Sequence, residues 1–148
     1  MRVFKVTPHV GIGPLELGMT PAQVRVALPD FDFEKVRRGR EEQVRRLGLS
    51  VDYPEGDTEV TFVQAYRVAG VRVEFAGCDV FKTPADEIVA AVVSQQSLLP
   101  TDFPPGRHEY LFPSLRLVLW RSVVGTRPGK KGWRFECISV HAAGYYDD

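Results

Sequence analysis

The sequence predicts a single α+β domain over residues 1–148, an antiparallel sheet of about five to six strands with two capped helices on one face. Three observations predict it. Thr20-Pro21 and Thr83-Pro84 have the form of helix starts. Apolar stretches bounded by turn formers lie at 49–53, 58–66, 70–75, 115–120 and 133–142. With 148 residues, 44% of them hydrophobic, the chain has the size of one domain and can bury a sizeable core.

In chain order, "RVFKV" at 2–6 reads as a short strand stopped by Thr7-Pro8. The segment "GIGPLELGMTPAQ" at 11–23 then combines a glycine-rich loop with a helix start. Thr20 is placed to cap, Pro21 fits the first turn, and Gln23 completes a capping box, with Val24, Ala27 and Leu28 at helical spacing before Pro29 closes the helix. Residues 34–46, "EKVRRGREEQVRR", hold six basic and three acidic side chains and read as an exposed arm or irregular hairpin without a buried face. Strands at 49–53 and 58–66 form a hairpin about the turn 54–57, and "GVRVEF" at 70–75 adds a third strand with Val71, Val73 and Phe75 on one face.

The second helix is expected to begin at Thr83-Pro84-Ala85-Asp86, with threonine as cap and Ile88, Ala91 and Val92 as its buried stripe. A proline-rich loop occupies 99–107, and the apolar strands 115–120 and 133–142 are joined by "VVGTRPGKKG". "TPAQ" at 20–23 echoes "TPAD" at 83–86, while 66–75 echoes 110–119 at a different offset. The echoes are compatible with two degenerate helix-plus-strands units, the first enlarged by the basic segment, and equally with chance similarity of short patterns.

Several function classes are disfavoured. Nineteen basic and nineteen acidic residues cancel, removing the global field of a nucleic-acid or anionic-lipid binder. No stretch has the length and apolarity of a membrane span or signal segment, so a cytoplasmic chain is expected. Cys78 and Cys137 each sit in an apolar run and read as reduced core thiols, with no partners at zinc-ligand spacing. No metal and no cofactor are expected.

Glycines 11, 13 and 18 invite a phosphate-binding reading, but the P-loop lysine is missing and Leu15, Glu16 and Leu17 occupy the place of the dinucleotide fingerprint's third glycine. Their expected role is backbone geometry ahead of the helix. His9, His108 and His141 form no i, i+4 pair, and His108-Glu109 are neighbours that an extended chain turns to opposite faces, so isolated surface histidine is the expectation. No nucleophile elbow is present. Two surfaces suit protein recognition: an acidic hairpin of Asp52, Glu55, Asp57 and Glu59, and a tail of Tyr145, Tyr146, Asp147 and Asp148. Tyrosine beside carboxylate is a hot-spot composition against a basic partner, and both stretches also fit ordinary solvated or sheet-packed roles.

The phrases "GIGPLELGMTPAQVRVAL", "VTFVQAYRVAGVRVEFAGCDVFKTPADEIVAAV", "YLFPSLRLVLWR" and "FECISVHAAGYYD" resemble those of small bacterial proteins that include immunity-type proteins of toxin systems. The opening "LGMT" and its short helix also resemble helix-plus-sheet modules of the β-lactamase inhibitor protein and of small outer-membrane-assembly lipoproteins. These resemblances imply helices on one face of an antiparallel sheet, with the other face or its loops presented to a protein. They imply a non-catalytic protein that binds and neutralises a cognate toxin. Two other readings stand beside it: a ligand-binding protein or enzyme using His108, Glu109 and His141 in a pocket between sheet and helices, and a nucleic-acid adaptor using 35–46.

Overall fold

The structure, a computed structural model, describes residues 1–36, 40–54, 58–95, 108–125 and 127–145. It begins with strand β1 (Arg2–Thr7), whose Phe4 and Val6 turn inward while Val3 and Lys5 face solvent. The glycine-rich segment follows as a tight hairpin of β2 (Gly11–Ile12) and β3 (Leu15–Glu16), turning through Gly13-Pro14. Ile12 and Leu15 are almost fully buried. Helix α1 (Pro21–Ala27) starts as expected: the Gln23 N–H donates to Thr20 Oγ1 at 3.2 Å, and the Thr20 N–H donates to Gln23 Oε1 at 2.9 Å. Val24 and Leu28 enter the core from it.

Six further strands follow before the second helix: β4 (Glu34–Val36), β5 (Glu41–Val44), β6 (Leu49–Asp52), β7 (Phe62–Tyr66), β8 (Val71–Phe75) and β9 (Cys78–Asp79). Helix α2 (Ala85–Gln95) precedes β10 (Glu109–Phe112), a 3-10 turn at Pro113–Leu115, β11 (Leu117–Trp120) and β12 (Cys137–His141). Among the described residues, seven strands pair antiparallel in the order β10-β11-β12-β7-β6-β5-β4. A smaller sheet, β3-β2-β1-β8-β9, is mixed because β1 and β8 run parallel. Its strand β2 lies against β7 and β12. The inner face of the large sheet carries Leu49, Val51, Val63, Ala65, Ile138, Val140, Leu117 and Leu119, all buried in one cluster with Ile12, Val24 and Ile88.

The class is therefore α+β, but a seven-stranded sheet and a five-stranded sheet replace the expected single sheet of five or six. The helices do not cover its face alone, since the small sheet packs there too. Strand 70–75 leaves the meander because β8 pairs with β1, at the other end of the chain, and no local pattern encodes that partner. The basic segment 34–46 has a buried face after all. Val44 and Glu42 point inward from β5, and the inward glutamate hides the strand's alternation because its cation comes from another element, Arg25 of α1. Residues 37–39, the turn residues 55–57 and the loop 99–107 fall outside the described residues.

Helix α2 begins one residue later than expected. The Ile88 N–H donates to the Pro84 carbonyl, which makes Pro84 the cap residue, and the Ala85 N–H donates to the Trp133 carbonyl at 2.8 Å. Thr83 stands outside the helix because Pro84 itself is held in an isolated antiparallel bridge with Arg134. The last two strands are also shorter than read: β11 starts only after Arg116, in the left-handed region with φ 49°, and β12 starts at Cys137. Of the two echoes, the first leads into α1 and α2. The second does not join like elements, since 66–75 crosses from the large sheet to the small one while 110–119 stays within β10 and β11.

Candidate functional site

The antiparallel register determines which side chains share the outer face of the large sheet, opposite the core. Asp52, Phe62 and His141 form one row across β6, β7 and β12. Ser50, Gln64, Ser139, Val118 and Leu111 form the next, and Tyr66, Cys137, Trp120 and Glu109 the one beyond. Alternation of side chains along each strand puts all three rows on the same face.

At the Asp52 end the structure brings together two of the residues singled out for partner binding. The Tyr145 hydroxyl donates to Asp52 Oδ2 at 3.1 Å, and its ring stacks on Phe62 at 5.1 Å between centroids. The ring also lies 5.9 Å from His141, which is buried and so is not the surface histidine expected. Glu59 is exposed on the approach to β7. Glu55, Asp57, Tyr146, Asp147 and Asp148 lie outside the described residues. A hollow of about 390 Å³ adjoins Asp52, Tyr53, Thr61 and Tyr145.

At the opposite end of the same face is a larger cleft of about 530 Å³, floored by Tyr66, Trp120 and Cys137 and walled by Arg67 and the segment 129–136. Arg67, Lys130, Lys131 and Arg134 line it, with Glu136 as the only lining carboxylate among the described residues. The Ser122 backbone N–H and hydroxyl both donate to Glu136, the latter at 2.8 Å. The Arg134 guanidinium rests 5.1 Å from the Trp133 ring, and its buried Nε has no hydrogen-bond acceptor among the described residues.

The wall is built from the core outward. Arg121, only 2% exposed, donates from Nη1 to the Gly132 carbonyl at 2.9 Å and lies 5.5 Å from the Phe135 ring. Gly132 has φ +83°, and a Cβ there would lie 2.3 Å from the Val123 carbonyl oxygen, so the loop closes only with glycine. Sequence reasoning treated this stretch as a plain connection. Its lysines become a site only when the register sets Trp120 beside Cys137 and Tyr66.

The residues considered for catalysis are dispersed. His141 and Glu109 occupy opposite ends of the outer face, four residues apart along the strands and two strands apart across them, a separation of about 16 Å. His108 is exposed next to Glu109. Among the described residues no group of three or more His, Cys, Asp or Glu side chains could hold a metal, and no helix is long and apolar enough to cross a membrane. The glycine-rich hairpin has its amides engaged internally: Gly13 donates to the Lys5 carbonyl, Leu17 to Val10 and Gly18 to Val60. In the basic segment, Arg45 pairs with Glu34 at 2.7 Å and Arg25 with Glu42 at 3.2 Å, so its carboxylates are interleaved with the cations.

Both cysteines are free and half-buried, on strands and not in the core proper. Burial, and then the Glu136 carboxylate, pushes the Cys137 thiol up to about 11, and burial also raises Cys78. A thiol at about 11 against an ordinary 9.0 holds about a hundredth of the usual thiolate at neutral pH. Iodoacetamide should therefore label Cys137 about a hundredfold more slowly in the folded chain than in urea at pH 8, with the gap closing as the pH passes 11. Equal rates in both states would contradict this. No protein-family model, curated protein or solved structure matches the chain.

Proposed function

We propose that the chain is a non-catalytic immunity-type protein that neutralises a cognate bacterial toxin by covering its surface with the two ends of the seven-stranded sheet's outer face, where Trp120 and Tyr145 are exposed while Ser50, Ser139 and Val118 between them are buried. The observation that carries this reading is the composition of that face: Tyr145 and Phe62 beside Asp52 at one end, and Tyr66 and Trp120 beside a cluster of cations at the other. Large aromatic rings flanked by charge supply the anchors of protein interfaces, and charge at the rim sets orientation and encounter rate. Inhibition by coverage needs no reacting group, in keeping with the separation of His141 from Glu109.

Two finer points belong to the same reading. The chain comprises two degenerate units, supported by α1 leading into the meander β4–β7 and α2 leading into β10–β12, with the last strands of the two units paired at the sheet centre. It works in the cytoplasm of the producing cell, where a toxin must be held inactive.

The test is co-purification with the C-terminal domain of a toxin encoded beside it. A stoichiometric complex that abolishes toxin activity is expected, and Trp120→Ala and Tyr145→Ala should each weaken it about tenfold or more. Turnover of a small molecule by the purified chain, or no association with such a domain, would overturn the reading.

A further inference from the structure

Cations gather at one end of the outer face of the large sheet. Asp52 stands at one end of β6 and β7, and Arg67, Lys130, Lys131 and Arg134 gather beyond the other, about four residues or 13 Å away. Because the chain's formal net charge is zero, this is a local arrangement and not a consequence of overall basicity. The other end is mixed, since Arg40 lines the same hollow as Asp52.

The basic cleft is also prepared for a particular kind of anion. The Arg134 guanidinium carbon lies over the Trp133 ring at 5.1 Å from its centroid, and the buried Nε of Arg134 lacks an acceptor among the described residues. A guanidinium held this way offers a planar fork that matches a carboxylate. Trp120, 38% exposed, lies open next to it for an apolar or aromatic neighbour of that carboxylate. A phosphate-rich strand fits less well. Glu109 shares the row with Trp120, and Glu136 lies within the cleft, so negative charge interrupts the track that a nucleic-acid backbone would follow.

We propose that this cleft receives an acidic, aromatic-containing segment of the partner protein. This rests on the protein-binding reading above and specifies the partner's chemistry. Arg67, Lys130 and Lys131 attract the segment, Arg134 pairs with its carboxylate, and Trp120 and Trp133 hold its ring.

The experiment uses the full chain and three dye-labelled probes: a short peptide of alternating glutamate and tyrosine, its lysine-tyrosine counterpart, and an oligothymidylate of similar length, each followed by fluorescence anisotropy. The glutamate peptide should bind saturably and about tenfold or more tighter than either other probe. The combined charge reversal Lys130→Glu and Lys131→Glu, at two exposed positions, should weaken it by about tenfold, and Trp120→Ala should reduce the tryptophan fluorescence change on binding to the part reported by Trp133. Circular dichroism checks that both variants keep the fold. Binding of the lysine peptide or the oligonucleotide as tightly as the glutamate peptide, or indifference to the charge reversal, would overturn the proposal. A toxin complex formed without glutamate-peptide binding removes this inference alone, whereas peptide binding without a toxin complex removes the immunity reading alone.

Discussion

Gly11→Ala is expected to lower the stability of the chain by about 3 kcal/mol or more, the largest effect of any single methyl addition near the N-terminus. A Cβ at Gly11 would lie 2.0 Å from the Leu15 carbonyl oxygen and 2.8 Å from Glu16 Cα, both backbone atoms that no rotamer change can move. Relief requires opening the β2-β3 ladder, and with it the seating of Ile12 and Leu15 against the large sheet. Glu16→Ala, on the same rung but with an exposed side chain, should change stability by no more than about 0.5 kcal/mol. Urea denaturation checks both. A Gly11→Ala midpoint equal to wild type would show that the hairpin is not the close-packed element described here.

Arg25→Met should cost about 2–4 kcal/mol, because it strands the Glu42 carboxylate on the inner face of β5, where its side chain is 3% exposed. The upper part of the range for a broken buried pair is discounted because the Arg25 side chain is itself 45% exposed and part of its attraction is screened. Tyr53 belongs to the same pocket: burial, and then the neighbouring Glu42 charge, raises its phenol above the usual 10.0 and keeps it neutral in the fold. If the loss comes from an unmatched charge, adding Glu42→Gln to Arg25→Met should recover most of it. A double-mutant cycle reads this directly, and a loss of equal size in the Glu42→Gln background would rule out the charge explanation.

These two sites also show how far local pattern reached. The Thr20-Gln23 capping box, the helix that it starts and the hairpin of β6 with β7 were legible because each depends on residues within a few positions of one another. Pro84 as cap residue was not, because a carbonyl of the distant loop at Trp133 takes the Ala85 N–H and shifts the helix start by one residue. The buried face of the β4-β5 hairpin was missed for a related reason. Its inward Glu42 is tolerable only with Arg25 from α1, so the strand reads as polar to any method that looks along the chain alone.

The candidate site divides in the same way. Asp52 and Tyr145 were legible as residue types suited to contact, but their hydrogen bond joins positions 93 residues apart and depends on β12 pairing with β7. The cleft of Arg67, Trp120 and Arg134 had no signature at all, because its members come from a strand end, a strand and a loop whose juxtaposition is set by register.

Sequence alone therefore determined the α+β class, the first helix start, the buried positions Val24, Leu28, Val73, Phe75, Ile88 and Val92 and the geometric role of the glycine-rich segment, all consequences of side-chain periodicity and short-range backbone hydrogen bonding. Tertiary structure alone decided that there are two sheets, that β1 runs parallel to β8, that a glutamate faces inward, and that cations gather at one end of the outer face. The physical reason is range. Caps and alternation are stabilised by neighbours in the chain, whereas strand partners and charge constellations are chosen by which distant segments can bury apolar surface together.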